Sequence, residues 1–213
     1  MAQFVHNSPH PTYKNIIFDI GGVLVFWKPF EIAHDIFKNT NIPAKKLTSV
    51  IKQITDNKIW QEFDRGTISQ KNVIATLSEN FDSDVVRSFL ENVHKYLTPI
   101  KEGIDIFQKT KKLGYKNYIL SNMSKEFTND VIQHYDFYKK NNGIILSYRI
   151  RQIKPEPQIY MTLLNTYNLN PKECLFIDDS EKNVIAAQNL GINSVLCSDH
   201  NELNLKLKKL NIL

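Results

Sequence analysis

Cysteine is scarce here: Cys174 and Cys197 are the two in 213 residues. They are too few for a disulfide framework and lack metal-ligand spacing, so a reducing cytoplasm is the expected setting. Long apolar runs are also missing. No stretch approaches the ~20 apolar residues that a membrane-spanning helix needs. The opening stretch MAQFVHNSPHPTYKN has no basic cluster followed by an apolar segment, which argues against a secretory signal. Residues 1–13 are expected to be a disordered lead-in. Internal repeats and low-complexity segments are absent. Charge is not concentrated either. The net +5 suits an anionic ligand, but the lysines are dispersed, so no nucleic-acid partner is expected. The last stretch, ELNLKLKKLNIL, is too short and lacks the aromatic anchor of a membrane-surface helix. It is expected to form an edge helix with Leu203, Leu207 and Leu210 facing inward.

What is present is an ordinary globular composition, 42% hydrophobic and 23% charged. The length suits one large domain, or a core with a smaller insert, monomeric or homodimeric. Apolar, β-branched runs recur at 15–20, 117–122, 143–147, 174–179 and 193–197, with helical patterns between them. Nearly continuous hydrophobic strands alternating with amphipathic helices predict a parallel α/β sheet covered on both faces.

Residues 30–98 differ, having helical periodicity and no strong strand. Leu47, Val50, Ile51 and Ile54 follow i, i+3, i+4, i+7 after Pro43. Val73, Ile74 and Leu77 follow Ser69, and Val85, Val86, Phe89, Leu90 and Val93 make a third apolar stripe. The expected organisation is a core of residues 14–29 and 99–213, interrupted at 30–98 by a helical insert.

Ligands of open parallel sheets bind outside the carboxyl ends of the strands. Asp19, Ser121, Asn122, Asp178 and Asp179 fall at those ends, and Lys154 follows in IKPEPQIY. Singly, each has a simple role as a turn, cap or surface residue. Together they suit a phosphate and a metal ion. Three carboxylates brought close repel one another unless a divalent cation lies between them. Oxygen-only ligands point to Mg²⁺. A lysine, a hydroxyl and helix-start amides suit phosphate oxygens, leaving one carboxylate free to attack phosphorus.

These stretches resemble the haloacid dehalogenase superfamily, a Rossmann-like α/β fold with Mg²⁺-dependent phosphohydrolases. FDIGGVLV is similar to its first motif, LSN to its second, KPEPQIY to its third and FIDDSEKNV to its fourth. The resemblance implies Asp19 as nucleophile and Lys154 bracing nucleophile and phosphate. It also implies Gly21, Gly22, Ser121 and Asn122 at the phosphate, and Mg²⁺ held by Asp19, the Gly21 carbonyl, Asp178 and Asp179, with Asn183 in support. The insert resembles the all-helical cap of the small sugar-phosphate phosphatases, and IWQEFDRGTIS (59–69) is similar to a stretch common in such caps. The whole pattern most resembles bacterial phosphatases of the α-D-glucose-1-phosphate type. The implied activity is hydrolysis of a small phosphorylated metabolite, a sugar phosphate such as glucose 1-phosphate, through an aspartyl phosphate. A weakly active or non-catalytic binding protein and a haloacid dehalogenase are the alternatives.

The sequence departs from that pattern at Gly21, where the family usually carries an acid that protonates the leaving oxygen and activates water. Such help is typically worth 10²–10⁴-fold. An acidic leaving group would lessen the need for it; so would a side chain from the insert, with His34, Glu62 and Asp64 as candidates. Arg149 and Arg151 either add positive potential near the phosphate or face solvent. Trp27 and Trp60 either stack on a sugar ring or pack the insert against the core.

Overall fold

The structure, a computed structural model, describes residues 13–213 apart from Val131. The expected lead-in therefore lies outside the described residues except for Tyr13. That residue corrects the expectation, because its ring is buried in the core.

Five parallel strands form one sheet: β1 (Asn15–Phe18), β2 (Lys116–Ser121), β3 (Gly143–Leu146), β4 (Cys174–Asp178) and β5 (Asn193–Leu196). Their order is β3-β2-β1-β4-β5, with Phe18 level with Ile119 on one side and with Ile177 on the other. The order reverses direction at β1, so the crevice beyond the ends of β1 and β4 is the topological switch point. The central strands β1 and β4 are short and wholly buried, which is why they read as continuous apolar runs, while the edge strand β5 is half-buried. Alternation sends Ile16 and Phe18 to one face and Ile17 to the other.

Five α-helices follow β1 in the insert: α1 (Pro29–Ile36), α2 (Ala44–Thr55), α3 (Lys58–Arg65), α4 (Gln70–Ser78) and α5 (Ser83–Asn92). Pro43 immediately precedes α2 rather than starting it. Asn57, Ser69 and Asp82 accept amide hydrogen bonds at the starts of α3, α4 and α5. The chain leaves and re-enters side by side, since Phe26 N donates to Thr98 O at 2.8 Å and Ile100 N to Leu24 O at 2.9 Å. The insert shares one hydrophobic cluster with Phe18, Ile119 and Ile177.

The remaining helices are α6 (Lys101–Lys112), α7 (Lys125–Asp130), α8 (Asp136–Lys140), α9 (Ser147–Ile150), α10 (Pro157–Tyr167), α11 (Glu181–Gln188) and α12 (His200–Lys209). Residues Ile159, Tyr160 and Leu163 of α10 and Ala187 of α11 cover the face that Ile17 occupies. Leu203 and Leu207 of α12 are buried and Leu210 half-buried. No helix among the described residues is long and apolar enough to cross a membrane.

Candidate active site

Asp19 directly follows β1, and its N–H donates to Ile177 O of β4 at 2.9 Å, extending the ladder by one residue. Asp178 ends β4 and is fully buried. Lys154 is buried between them, its Nζ 2.9 Å from Asp19 Oδ1, 2.6 Å from Asp178 Oδ2 and 3.1 Å from Leu120 O. Burial works against the charge of Lys154, but Asp178 and Asp19 outweigh it and hold the ammonium well above its ordinary range.

Asp178 Oδ1 accepts from Ser180 N at 2.8 Å and from Asn183 Nδ2 at 2.9 Å. Oδ1 thus has both lone pairs engaged, while Oδ2, bonded to Lys154 alone, keeps one that could reach a cation. Ligand oxygens of Asp19, Asp178 and Asp179 all lie within 4.8 Å of one another. Three carboxylates thus face a single ammonium. Burial pushes Asp19 up to about 7, with Asp178 and Asp179 adding to the rise and Lys154 and the Ser121 hydroxyl opposing it. Burial followed by the Asp178 charge pushes Asp179 up to about 6. An all-oxygen cluster short of positive charge fits a hard divalent ion.

The turn after Asp19 is built for this cluster. Gly22 has φ +67°, and a Cβ there would stand 2.1 Å from Asp179 Oδ2. A glycine therefore lets the turn touch the carboxylate. Gly21 is different: a Cβ would meet Trp27 at 3.4 Å, an ordinary contact. Its missing side chain leaves that space to the indole.

The polar end of the pocket is lined by Asp19, Gly21, Ser121, Asn122, Lys154, Asp179 and Asn183. Asn122 departs from its expected part. Its carboxamide bonds the Lys154 backbone in both directions, accepting from N at 2.8 Å and donating to O at 2.9 Å. Its side chain is a brace for Lys154 and not a free phosphate ligand. The other wall is apolar: Val25, Trp27, Trp60, Leu97, Met123 and Phe127 around a cavity of about 170 Å³. The two indoles lie 5.9 Å apart, and Trp60 also packs on Phe63, Phe89 and Phe127. Leu97, Met123 and Phe127 carried no site signal in the sequence, because a pocket wall and a core position share the same residue types.

Of the three insert candidates, one lines this pocket. His34 bonds Thr48 at 3.0 Å within the insert. Glu62 accepts from Thr67 and pairs with Arg65. Asp64, half-buried on α3, is the one in the pocket. Arg149 contacts the rings of Tyr138 and Tyr148, and neither it nor Arg151 lines the pocket.

A family model for the haloacid dehalogenase-like hydrolases matches residues 16–197. The sesquiterpene phosphatase astK of Aspergillus oryzae is 27% identical over 203 residues, covering 93% of this chain and 97% of that protein. The D-ribitol-5-phosphate phosphatase of Bacteroides thetaiotaomicron is 25% identical over 200 residues, covering 85% of this chain and 90% of its own. Other relatives are longer, and the chain spans 36% of one and 24% of another. Among solved structures, a HAD family enzyme of Bacteroides thetaiotaomicron in complex with magnesium and inorganic phosphate shares the fold. It aligns with TM-score 0.63 at 24% identity over 86% of this chain and 93% of that one.

Proposed function

Because the chain belongs to the haloacid dehalogenase-like hydrolases, we propose that it is a Mg²⁺-dependent phosphatase of a small phosphorylated metabolite with a largely apolar leaving group. The observation that carries the chemistry is Lys154 Nζ bridging Asp19 at 2.9 Å and Asp178 at 2.6 Å. Asp19 Oδ1 is fixed by that ammonium and by Ile20 N at 2.7 Å, which leaves the other oxygen to attack. A bond forms between this oxygen and phosphorus as the bond to the leaving alcohol breaks. Water then cleaves the resulting aspartyl phosphate, restoring the carboxylate. Lys154 and the Ser121 hydroxyl hold the transferring oxygens, and Asn122 holds Lys154. Mg²⁺, held by Asp19, Asp178, Asp179 and the Gly21 carbonyl, would supply charge neutralisation at the phosphoryl group. Asn183 orients Asp178 through its 2.9 Å bond. The helical insert acts as a cap that covers the strand ends and limits water.

The leaving group contacts Val25, Trp27, Trp60, Leu97, Met123 and Phe127, a mostly apolar wall whose polar side-chain groups are the two indole N–H donors and the Asp64 carboxyl. A hydroxyl-rich sugar would lose water there without compensation. The name of the Aspergillus oryzae relative, a sesquiterpene phosphatase, points to the same class. A sugar phosphate such as glucose 1-phosphate is the second reading, favoured by the paired indoles, which suit a pyranose face, and by the ribitol-phosphate relative. The haloacid dehalogenase reading is disfavoured because, without a metal, it leaves the three carboxylates of Asp19, Asp178 and Asp179 with the single Lys154 ammonium.

A panel of aryl, alkyl, acyl and sugar phosphates, assayed with and without Mg²⁺, tests the proposal. Metal-dependent phosphate release is expected, lost in Asp19→Asn, with kcat/KM higher for apolar alcohols than for sugars. A preference for sugar phosphates selects the second reading. No turnover of any member, acyl phosphates included, selects a binding protein instead.

A further inference from the structure

Resting on that phosphatase reading, we propose that Asp64 is the acid–base group of this site, supplied by the insert where Gly21 supplies none. The titratable side chains lining the pocket are Asp19, Asp64, Lys154 and Asp179. Asp19 is the nucleophile, Asp179 belongs to the cation, and Lys154 is locked between two carboxylates. Asp64 remains for proton transfer.

Helix α3 is pinned so that Asp64 keeps its place. Ser147 Oγ donates to the Asp64 carbonyl. Arg65, the next residue, reaches Glu156 through both terminal nitrogens, at 3.0 and 2.7 Å, and donates to Arg151 O at 3.2 Å. Gly66, at φ +74°, ends the helix against Tyr148, where a Cβ would come within 2.8 Å of the Tyr148 side chain. All these partners belong to the segment between β3 and α10, which also carries Lys154. Asp64 and the bracing lysine are thus fixed through one surface.

Gly21 is part of the same arrangement. Trp27 stands beside it, 3.4 Å from where a Cβ would sit, and packs on Trp60; Trp60 and Asp64 lie one turn apart on α3 and both line the pocket. The indole pair thus connects the vacant position to the carboxyl that replaces it. Burial pushes the Asp64 carboxyl up to about 7, against the pull of Lys154 and of the nearby Trp60 indole. An acid near neutrality is suited to both directions of proton transfer.

An Asp19 oxygen forms its bond to phosphorus, the electron pair of the breaking bond goes to the leaving oxygen, and that oxygen takes the Asp64 proton. In the second half, water attacks phosphorus and gives its proton to the Asp64 carboxylate. Inorganic phosphate leaves, Asp19 is a carboxylate again, and Asp64 is again protonated.

The test is the dependence of kcat/KM on leaving-group pKa, measured with Mg²⁺ across aryl and alkyl phosphates. In Asp64→Asn the dependence is expected to steepen, with a loss of about 10²-fold for alkyl phosphates and less than about tenfold for aryl phosphates. Asp64→Ala reports the same slope if the Asn variant is not recovered folded. A merely structural Asp64 would lower all substrates by one factor, and that outcome, or no loss at all, overturns the assignment. Wild type without Mg²⁺-dependent turnover overturns the phosphatase reading and the assignment together. Turnover with an unsteepened slope in the variants overturns Asp64 alone.

Discussion

Two adjacent glycines do opposite things. Gly22 is required by its own backbone, at φ +67°, and by the Asp179 carboxylate packed on it. Alanine there adds a left-handed backbone cost of roughly 1–2 kcal/mol and forces Asp179 aside. Gly22→Ala is therefore expected to lower stability by about that amount and to weaken Mg²⁺ binding at least tenfold. Thermal unfolding and a Mg²⁺ titration of activity check this; unchanged metal dependence would show that Asp179 is not held by the turn. Gly21 has no such backbone demand, and a Cβ there would make only an ordinary contact with Trp27. Its role lies in what it omits, which is legible in the sequence as a missing acid. That Trp27 stands beside that position is not legible there.

Helix α3 shows how much a short element can owe to its ends. Its apolar signal is thin, with Trp60 and Phe63 as its buried residues, so periodicity alone did not mark it as decisive. Its placement comes from Asn57 at one end and from Arg65, Gly66 and the Ser147 bond at the other. The Arg65–Glu156 pair is partly exposed, 20% and 39% by side chain, so its direct contribution to stability is about 1 kcal/mol or less. Its larger effect is positional. Arg65→Ala is expected to change stability by no more than about 1 kcal/mol while kcat/KM falls roughly tenfold, about the cost of misplacing a proton donor. Arg65→Lys should not restore it, since an ammonium cannot reproduce the two-nitrogen contact. Parallel denaturation and kinetics decide; activity falling only in step with stability would make the pair a plain surface bridge.

For the molecule as a whole, the site is a concentration of like charge at the centre of the sheet. Burial and mutual repulsion push Asp19 and Asp179 up in the absence of a cation. A bound divalent ion should stabilise the fold by about 2.7 kcal/mol at a hundred times its Kd. For a chain of this length that is a rise in Tm of about 5–10 °C. Calorimetry with and without Mg²⁺ tests this, and a rise that persists in Asp179→Asn would place the ion elsewhere. The sequence by itself determined the five strands and the chemistry at their ends. Buried parallel strands must be continuous apolar runs, and the polar residues that stop them line the pocket at the strand ends. It also determined the insert's apolar stripes in α2, α4 and α5, because helical periodicity is local. Tertiary structure alone decided which insert carboxyl lines the pocket with Asp19, which arginine ties α3 to the core, and that Tyr13 is buried. Those outcomes depend on contacts such as Arg65 with Glu156, 91 residues apart. No local pattern encodes such a pairing, because it forms only once the sheet has brought its strand ends together.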